Sequence, residues 1–268
     1  MTLLISWIGV DSRAPSSIYL LSDSKISWPN GSSFDYARKV FACTQYPDIF
    51  GYCGDVLFPS IALNQIIDVI DAGMLFKEHW TSEERFNAFY NKIKSIFSFY
   101  PSKVKDITAS AIQIIHASRN IDKQFSCRMI TWTKSTGEWS TSEKPVTMHS
   151  DRLLVLGTGA KEFEERYKDY TLPSMVSRSV FHCFCDVLRN TTNKTYGGAP
   201  QLVGLYRIRY GMPFGIIYDN KRYLYGIEAE DLVDFEKVEW RNELFELCDG
   251  QTKAIKSGAQ RQPDPLRR

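Results

Sequence analysis

The chain has 268 residues, of which 43% are apolar and 24% charged, and its formal net charge is +2. Such proportions belong to soluble globular proteins, and the small net charge argues against a polyanion partner, so nucleic acid is not expected. No apolar run approaches the length of a membrane span, and no basic n-region with a cleavage site opens the sequence, so neither membrane insertion nor secretion is expected.

In chain order, residues 2–9 read as a buried strand rich in β-branched side chains. Residues 9–17 are turn-rich and read as a long loop, after which a strand over 18–21 ends at Ser22-Asp23-Ser24 and closes a hairpin. A turn at 28–31 precedes a second hairpin, 38–43 with 48–53. A helix is expected over 56–71, with Leu57, Ile61, Leu63, Ile66, Ile67 and Ile70 on its apolar face. A second starts at Thr81, a capping hydroxyl ahead of an acidic first turn, and stops at Pro101.

Strands resume at 109–117, 124–133, 138–141 and 152–156. Gly157-Thr158-Gly159 is a tight turn feeding a helix over 160–169, and another helix spans 173–188. A last set of strands covers 201–208, 213–218 and 222–226, with a short helix expected near 240–247. From Asp249 the chain is polar and basic, and it reads as a flexible tail over 249–268. Two strand blocks separated by helix pairs imply one domain over 1–248, built from two packed sheets flanked by helices. The six cysteines, mostly in apolar runs, have neither disulfide nor zinc spacing, and the four histidines are scattered. No metal or cofactor is expected, and the compartment is read as the cytoplasm.

One group of residues carries chemistry. Removal of Met1 would leave Thr2 with a hydroxyl nucleophile and a free α-amine on the same residue. An α-amine has a reference pKa of about 7.7–8.0, so it can be a neutral base near physiological pH. Lys39, at the start of a strand, could lower that pKa and stabilise charge developing on the threonine oxygen. Asp23, at a strand end, could pair with Lys39. Gly54, at a strand-to-helix turn, could offer its N–H to an oxyanion. Each has an ordinary structural reading by itself: turn residue, solvated lysine, flexible glycine. Their joint order with Thr2 is what points to a site.

That order resembles the β-subunits of the proteasome and the bacterial HslV-type peptidases, of the N-terminal nucleophile hydrolase superfamily. The matching pieces are Thr2-Leu3-Leu4-Ile5, Leu21-Ser22-Asp23-Ser24-Lys25, Arg38-Lys39-Val40, Gly51-Tyr52-Cys53-Gly54-Asp55, Leu156-Gly157-Thr158-Gly159 and Tyr196-Gly197-Gly198-Ala199. They cover about residues 2–210, and 210–248 is a divergent C-terminal part without a counterpart. The resemblance implies an α+β fold, a four-layer αββα sandwich. It implies Thr2 as nucleophile, Asp23 and Lys39 as its support, Gly54 as the oxyanion-hole glycine, and Thr158 as a hydroxyl beside the threonine amine. Tyr52 and Val56 would line a mainly apolar pocket for the substrate side chain. Asn193 and Tyr196 stand where the family has an aspartate and a serine.

The implied activity is a threonine-type peptidase acting on protein or peptide substrate, in a homo-oligomer (ring or dimer) fed by an ATP-driven unfoldase. Two alternatives stay open: a catalytically inactive structural or regulatory subunit, favoured by Asn193 and Tyr196, and a small-molecule amidase on the same scaffold.

Overall fold

The computed structural model describes residues 2–101, 104, 109–170, 176–230 and 234–261. The chain opens with β1 (Leu4–Val10) and β2 (Pro15–Ser22), antiparallel, with Leu4 opposite Ser22. Both strands run further than the sequence suggests, and the connecting loop shrinks to 11–14. Asp11 closes it by accepting the Arg13 and Ala14 amides at 2.9 and 3.3 Å, a side-chain-templated turn.

These two strands lie within a nine-stranded sheet. Its main path places β10 (Asp151–Leu156), β1, β2, β11 (Gln201–Tyr206), β12 (Met212–Tyr218), β13 (Lys221–Leu224) and β14 (Ile227–Glu228) side by side. The last two strands, β15 (Glu239–Arg241) and β16 (Leu247–Cys248), join beside β12, with β15 parallel to it. A five-stranded sheet follows the order β5 (Val40–Ala42), β6 (Asp48–Gly54), β7 (Ala111–Arg119), β8 (Phe125–Thr133), β9 (Glu138–Lys144). A small pair, β3 (Ile26–Ser27) and β4 (Ser33–Phe34), stands apart. The helices are α1 (Leu57–Asp71), α2 (Ser82–Ser98), α3 (Ala160–Tyr167) and α4 (Ser177–Asn190). The result is a mixed α/β protein, as the strand and helix blocks in the sequence imply.

Period-two alternation divides the core. In the larger sheet Leu3, Ile5, Trp7, Tyr19 and Leu21 pack with Phe163, Val180 and Phe184 of α3 and α4. Their neighbours Leu4, Ile8, Ile18 and Leu20 pack instead with Val40, Ile49, Cys53 and Ile115 of the smaller sheet. On the far side of that sheet Phe41, Phe50 and Tyr52 meet Leu63, Ile66, Phe89 and Phe97 of α1 and α2. Each fully buried aliphatic or aromatic side chain contributes about 1.5–3 kcal/mol.

Several expectations change. Leu57 and Ile61 are not on the buried face of α1: they are 50% and 51% exposed. The short helix near 240–247 is absent; residues 239–248 form β15, a turn and β16. The reason is long-range, because Gly215 leaves room for the Trp240 ring against β12. The flexible tail does not begin at Asp249. Asp249 N–H donates to the Ala254 carbonyl (2.8 Å) and Lys256 N–H to that of Leu247 (3.0 Å). Ile255 bridges to Cys248 and packs against the cluster of Ile217, Phe235, Trp240 and Cys248, which is enough apolar contact to hold the turn. The start of the fourth helix expected at 173, and residues 262–268 of the tail, lie outside the described residues.

Thr81 caps α2 as the sequence predicts. Its hydroxyl accepts the Glu84 amide at 3.2 Å, and the Glu84 carboxylate accepts the Thr81 amide at 2.7 Å. Thr81→Ala is expected to cost about 1 kcal/mol in urea unfolding, since it removes one arm of this capping box.

A buried polar cluster ties α2 to the smaller sheet. Asp48 accepts from His116 Nε2 (2.7 Å) and Arg85 Nε (2.8 Å), and the His116 ring stacks on Phe50. Burial pushes the His116 pKa below its ordinary value of 6.5, and Asp48 opposes that only in part. The unfolded chain therefore takes up this proton at a higher pH than the folded one. The contribution to stability is complete above about pH 6.5 and is lost as pH falls toward the folded value. Urea midpoints should fall between pH 7 and pH 5, and His116→Gln should flatten that part of the profile.

Candidate active site

The β1–β2 register brings the chain start against the end of β2. Asp23 N–H donates to the Leu3 carbonyl (3.3 Å), and Leu3 N–H donates back to Asp23 Oδ1 (3.0 Å). Thr2 is 1% exposed. Its carbonyl accepts the Gly159 amide at 3.3 Å. Gly157, at φ +93°, passes so close that a Cβ there would stand 2.0 Å from that same oxygen. The 157–159 turn thus clasps the backbone of residue 2.

Asp23 is the hub. Oδ1 accepts Lys39 Nζ at 2.9 Å in addition to Leu3 N–H, and Oδ2 accepts the amides of Lys25 (3.1 Å) and Gly197 (3.0 Å). The Lys39 and Asp23 side chains are both fully buried. Lys39 Nζ also donates to the Lys25 carbonyl at 2.5 Å. Burial pulls the Lys39 pKa below that of an ordinary lysine, and the Asp23 carboxylate pulls against it. A charged pair taken out of water needs hydrogen bonds on every side, and this carboxylate accepts four.

Gln201 escapes sequence reasoning. From the head of β11 its Nε2 donates to the carbonyls of Asp23 (3.0 Å) and Ala37 (2.6 Å), and its Oε1 accepts the Lys39 amide at 2.9 Å. It fixes the backbone of both charged residues. The only signal available was a polar residue opening an otherwise apolar strand.

Gly54 ends β6 at φ +96°, and a Cβ there would stand 2.2 Å from the Ala111 carbonyl oxygen. It borders a cavity of about 580 Å³, together with Ile26, Trp28, Val56 and Leu57. Val56 lines this cavity; Tyr52 does not. It is fully buried on the helix side of the smaller sheet, stacked on Phe41, with its hydroxyl donating to the Arg38 carbonyl at 3.2 Å. The cause is strand periodicity, which puts residue 52 on the same face as Phe50. Tyr100 lines the cavity instead, and its buried hydroxyl has no hydrogen-bond partner among the described residues.

The Thr158 side chain lies at the exposed surface of the turn and shares a 3.1 Å hydrogen bond with the Thr195 hydroxyl. Asn193 caps the neighbouring turn, accepting the Thr195 amide at 2.9 Å. The Tyr196 hydroxyl donates to Glu162 and accepts from Thr191 (2.9 Å). Its ring packs beneath Gly159, where an added Cβ would come within 3.1 Å of it. The bulk that sets Tyr196 apart from a serine supports the turn over Thr2.

No helix among the described residues is long and apolar enough to cross a membrane. No group of three or more metal-ligating side chains is found among them either.

A proteasome-like fold is what the solved structures support. The chain is similar to Anbu (ancestral beta-subunit) from Yersinia bercovieri, with a TM-score of 0.54 over 79% of this chain and 87% of that one, at 10% identity. It also matches Thiobacillus denitrificans BPH in complex with epoxomicin, at a TM-score of 0.46 and 12% identity, over 76% of this chain and 98% of that one. No family model and no curated protein matches the sequence.

Proposed function

We propose that the chain is an N-terminal threonine peptidase of proteasome-like type, with Thr2 exposed as the first residue by removal of Met1. The observation that carries this reading is the Asp23 carboxylate. One of its oxygens holds both Leu3 N–H and Lys39 Nζ, which sets a fixed, buried cation against the start of β1. In that arrangement Thr2 Oγ attacks the substrate carbonyl and the Thr2 amine takes its proton. The Lys39 charge keeps the amine neutral near physiological pH and stabilises charge on the threonine oxygen. Gly54 N–H steadies the oxyanion. The leaving amine departs protonated, and water, activated by the same amine, releases the acyl group from Oγ.

The cavity beside Gly54 and Val56 suits an apolar or uncharged side chain ahead of the cleaved bond. The three core clusters fit a four-layer αββα sandwich, helices outside and sheets within, and we read residues 1–248 as one such domain. An exposed peptidase site would endanger its surroundings, so a cytoplasmic homo-oligomer fed by an ATP-dependent unfoldase completes the proposal. Tyr196 favours one other reading, a catalytically inactive proteasome-like subunit, because no small hydroxyl occupies its position.

Protein lacking Met1 should release a fluorogenic amine from peptides with an apolar residue before the amide. Thr2→Ala should abolish that turnover with an unchanged melting temperature. Equal turnover by wild type and Thr2→Ala would sink the peptidase assignment.

A further inference from the structure

The divergent C-terminal part of the chain comes back to the site. β13 and β14 are joined by Tyr225 and Gly226 alone, with Leu224 opposite Ile227. Both turn residues have positive φ, +53° and +81°. Those signs belong to a type I′ hairpin turn, which favours Asn-Gly. Gly226 suits its place, because a Cβ there would stand 2.5 Å from that of Ser24. Tyr225 does not: a bulky side chain is disfavoured at positive φ, and such outliers persist only where the surrounding structure holds them.

The Tyr225 ring lies against Arg38. The guanidinium carbon stands 3.9 Å from the centre of that ring and 4.5 Å from that of Phe41, so the cation rests over two aromatic rings. Arg38 Nε also donates to the Val40 carbonyl (3.2 Å), and the Arg38 carbonyl accepts the Tyr52 hydroxyl. Residues 28–34, earlier in the same segment, are exposed. The chain therefore reaches Lys39 from a loosely packed stretch, and Arg38 is the last side chain that can fix its approach.

The same turn meets the other half of the charged pair. Gly226 approaches Ser24, the neighbour of Asp23, and its added Cβ would lie 3.5 Å from Gln201 Nε2. Ser24 Oγ accepts the Ala199 amide (2.9 Å), and the Ser24 carbonyl accepts the Ala37 amide (2.9 Å). Gln201 in turn holds the backbone of Asp23 and Lys39. One hairpin turn thus abuts the segments that carry both charged residues. The other charges nearby, Lys25 and Asp35, pair with each other at 3.6 Å. Tyr225 does not line the cavity beside Gly54.

We propose that Tyr225 is a positioning residue: through Arg38 it keeps Lys39 Nζ at the Asp23 carboxylate, against the start of β1. Its effect on turnover rests on the peptidase reading; the placement of the cation does not. A neighbouring positive charge lowers the pKa of an amine, so moving Lys39 away lets the Thr2 amine rise toward its free value of about 7.7–8.0. More of the amine is then protonated at pH 7, and less of it is a base.

Two variants separate positioning from turn formation. Tyr225→Asn gives the turn the residue it prefers and removes the ring, whereas Tyr225→Phe keeps the ring and the disfavoured φ. In protein lacking Met1, Tyr225→Asn should lower kcat about threefold or more at pH 7, move the acid limb of the kcat profile to higher pH, and leave KM within about twofold. Tyr225→Phe should keep most of the wild-type kcat. Independently of turnover, the Thr2 amine can be titrated through the Thr2 Cβ resonance of carbon-13 threonine-labelled protein, identified by its loss in Thr2→Ala. Its pKa should rise by about 0.5 or more in Tyr225→Asn and stay near wild type in Tyr225→Phe. Arg38→Lys keeps the charge but loses the planar stack, and should raise it in the same direction. An unmoved amine in folded Tyr225→Asn or folded Arg38→Lys, or an equal shift in Tyr225→Phe, would overturn the positioning role. That outcome in a protein that hydrolyses peptides leaves the peptidase reading standing. The expected shifts in a protein that hydrolyses nothing would remove that reading and leave the positioning role.

Discussion

Lys39→Met is expected to cost about 3 kcal/mol in urea unfolding and to eliminate peptide hydrolysis. It leaves the Asp23 carboxylate fully buried without its counter-charge, and breaking a buried pair from one side costs about 3–5 kcal/mol. The low end is expected because the amides of Leu3, Lys25 and Gly197 still donate to the carboxylate. The double replacement Asp23→Asn with Lys39→Met removes both charges and should recover part of the loss in a double-mutant cycle. Hydrolysis should not recover, because the cation next to Thr2 is gone. A cost below about 1 kcal/mol for Lys39→Met alone would mean that the pair does not carry the weight given to it.

Gly157→Ala should be still more damaging. The new Cβ would fall 2.0 Å from the Thr2 carbonyl oxygen, a backbone atom that no rotamer change can move. The φ of +93° adds the left-handed penalty of a non-glycine residue, about 1–2 kcal/mol. A total on the order of 3 kcal/mol or more is expected, with activity lost even in the fraction that folds, because the start of β1 must shift. Gly137 is the control. It has φ +70° and nothing within 4 Å of an added Cβ, so Gly137→Ala should show the backbone penalty alone. Equal unfolding midpoints for the two variants would contradict the clasp on Thr2.

The sequence made the ends of strands legible and left long-range packing obscure. Asp23 and Lys39 could be found because each lies next to an apolar run, where a charged residue stands out. The Thr81 cap was readable because its four-residue pattern is local. Tyr52 was misplaced because its role came from resemblance, whereas alternation with Phe50 puts it on the helix face. The strand at Trp240 was hidden because its partner, β12, lies more than twenty residues earlier and the contact depends on Gly215. The order at 249–259 rests on backbone hydrogen bonds and one apolar side chain, Ile255, too little to register in composition. Gln201 was invisible because its three hydrogen bonds go to segments more than 160 residues away.

The central claim is that Thr2 acts with its own free amine, and covalent capture tests that most directly. A peptide epoxyketone offers a carbonyl to the hydroxyl and an epoxide to the amine, so stable capture needs both groups on one residue. It is an addition with no leaving group. Intact mass spectrometry of protein lacking Met1 should therefore show a gain equal to the whole reagent, localised to Thr2 and absent from Thr2→Ala. Complete loss of Met1 with no adduct on Thr2, or an adduct that persists in Thr2→Ala, would contradict the assignment.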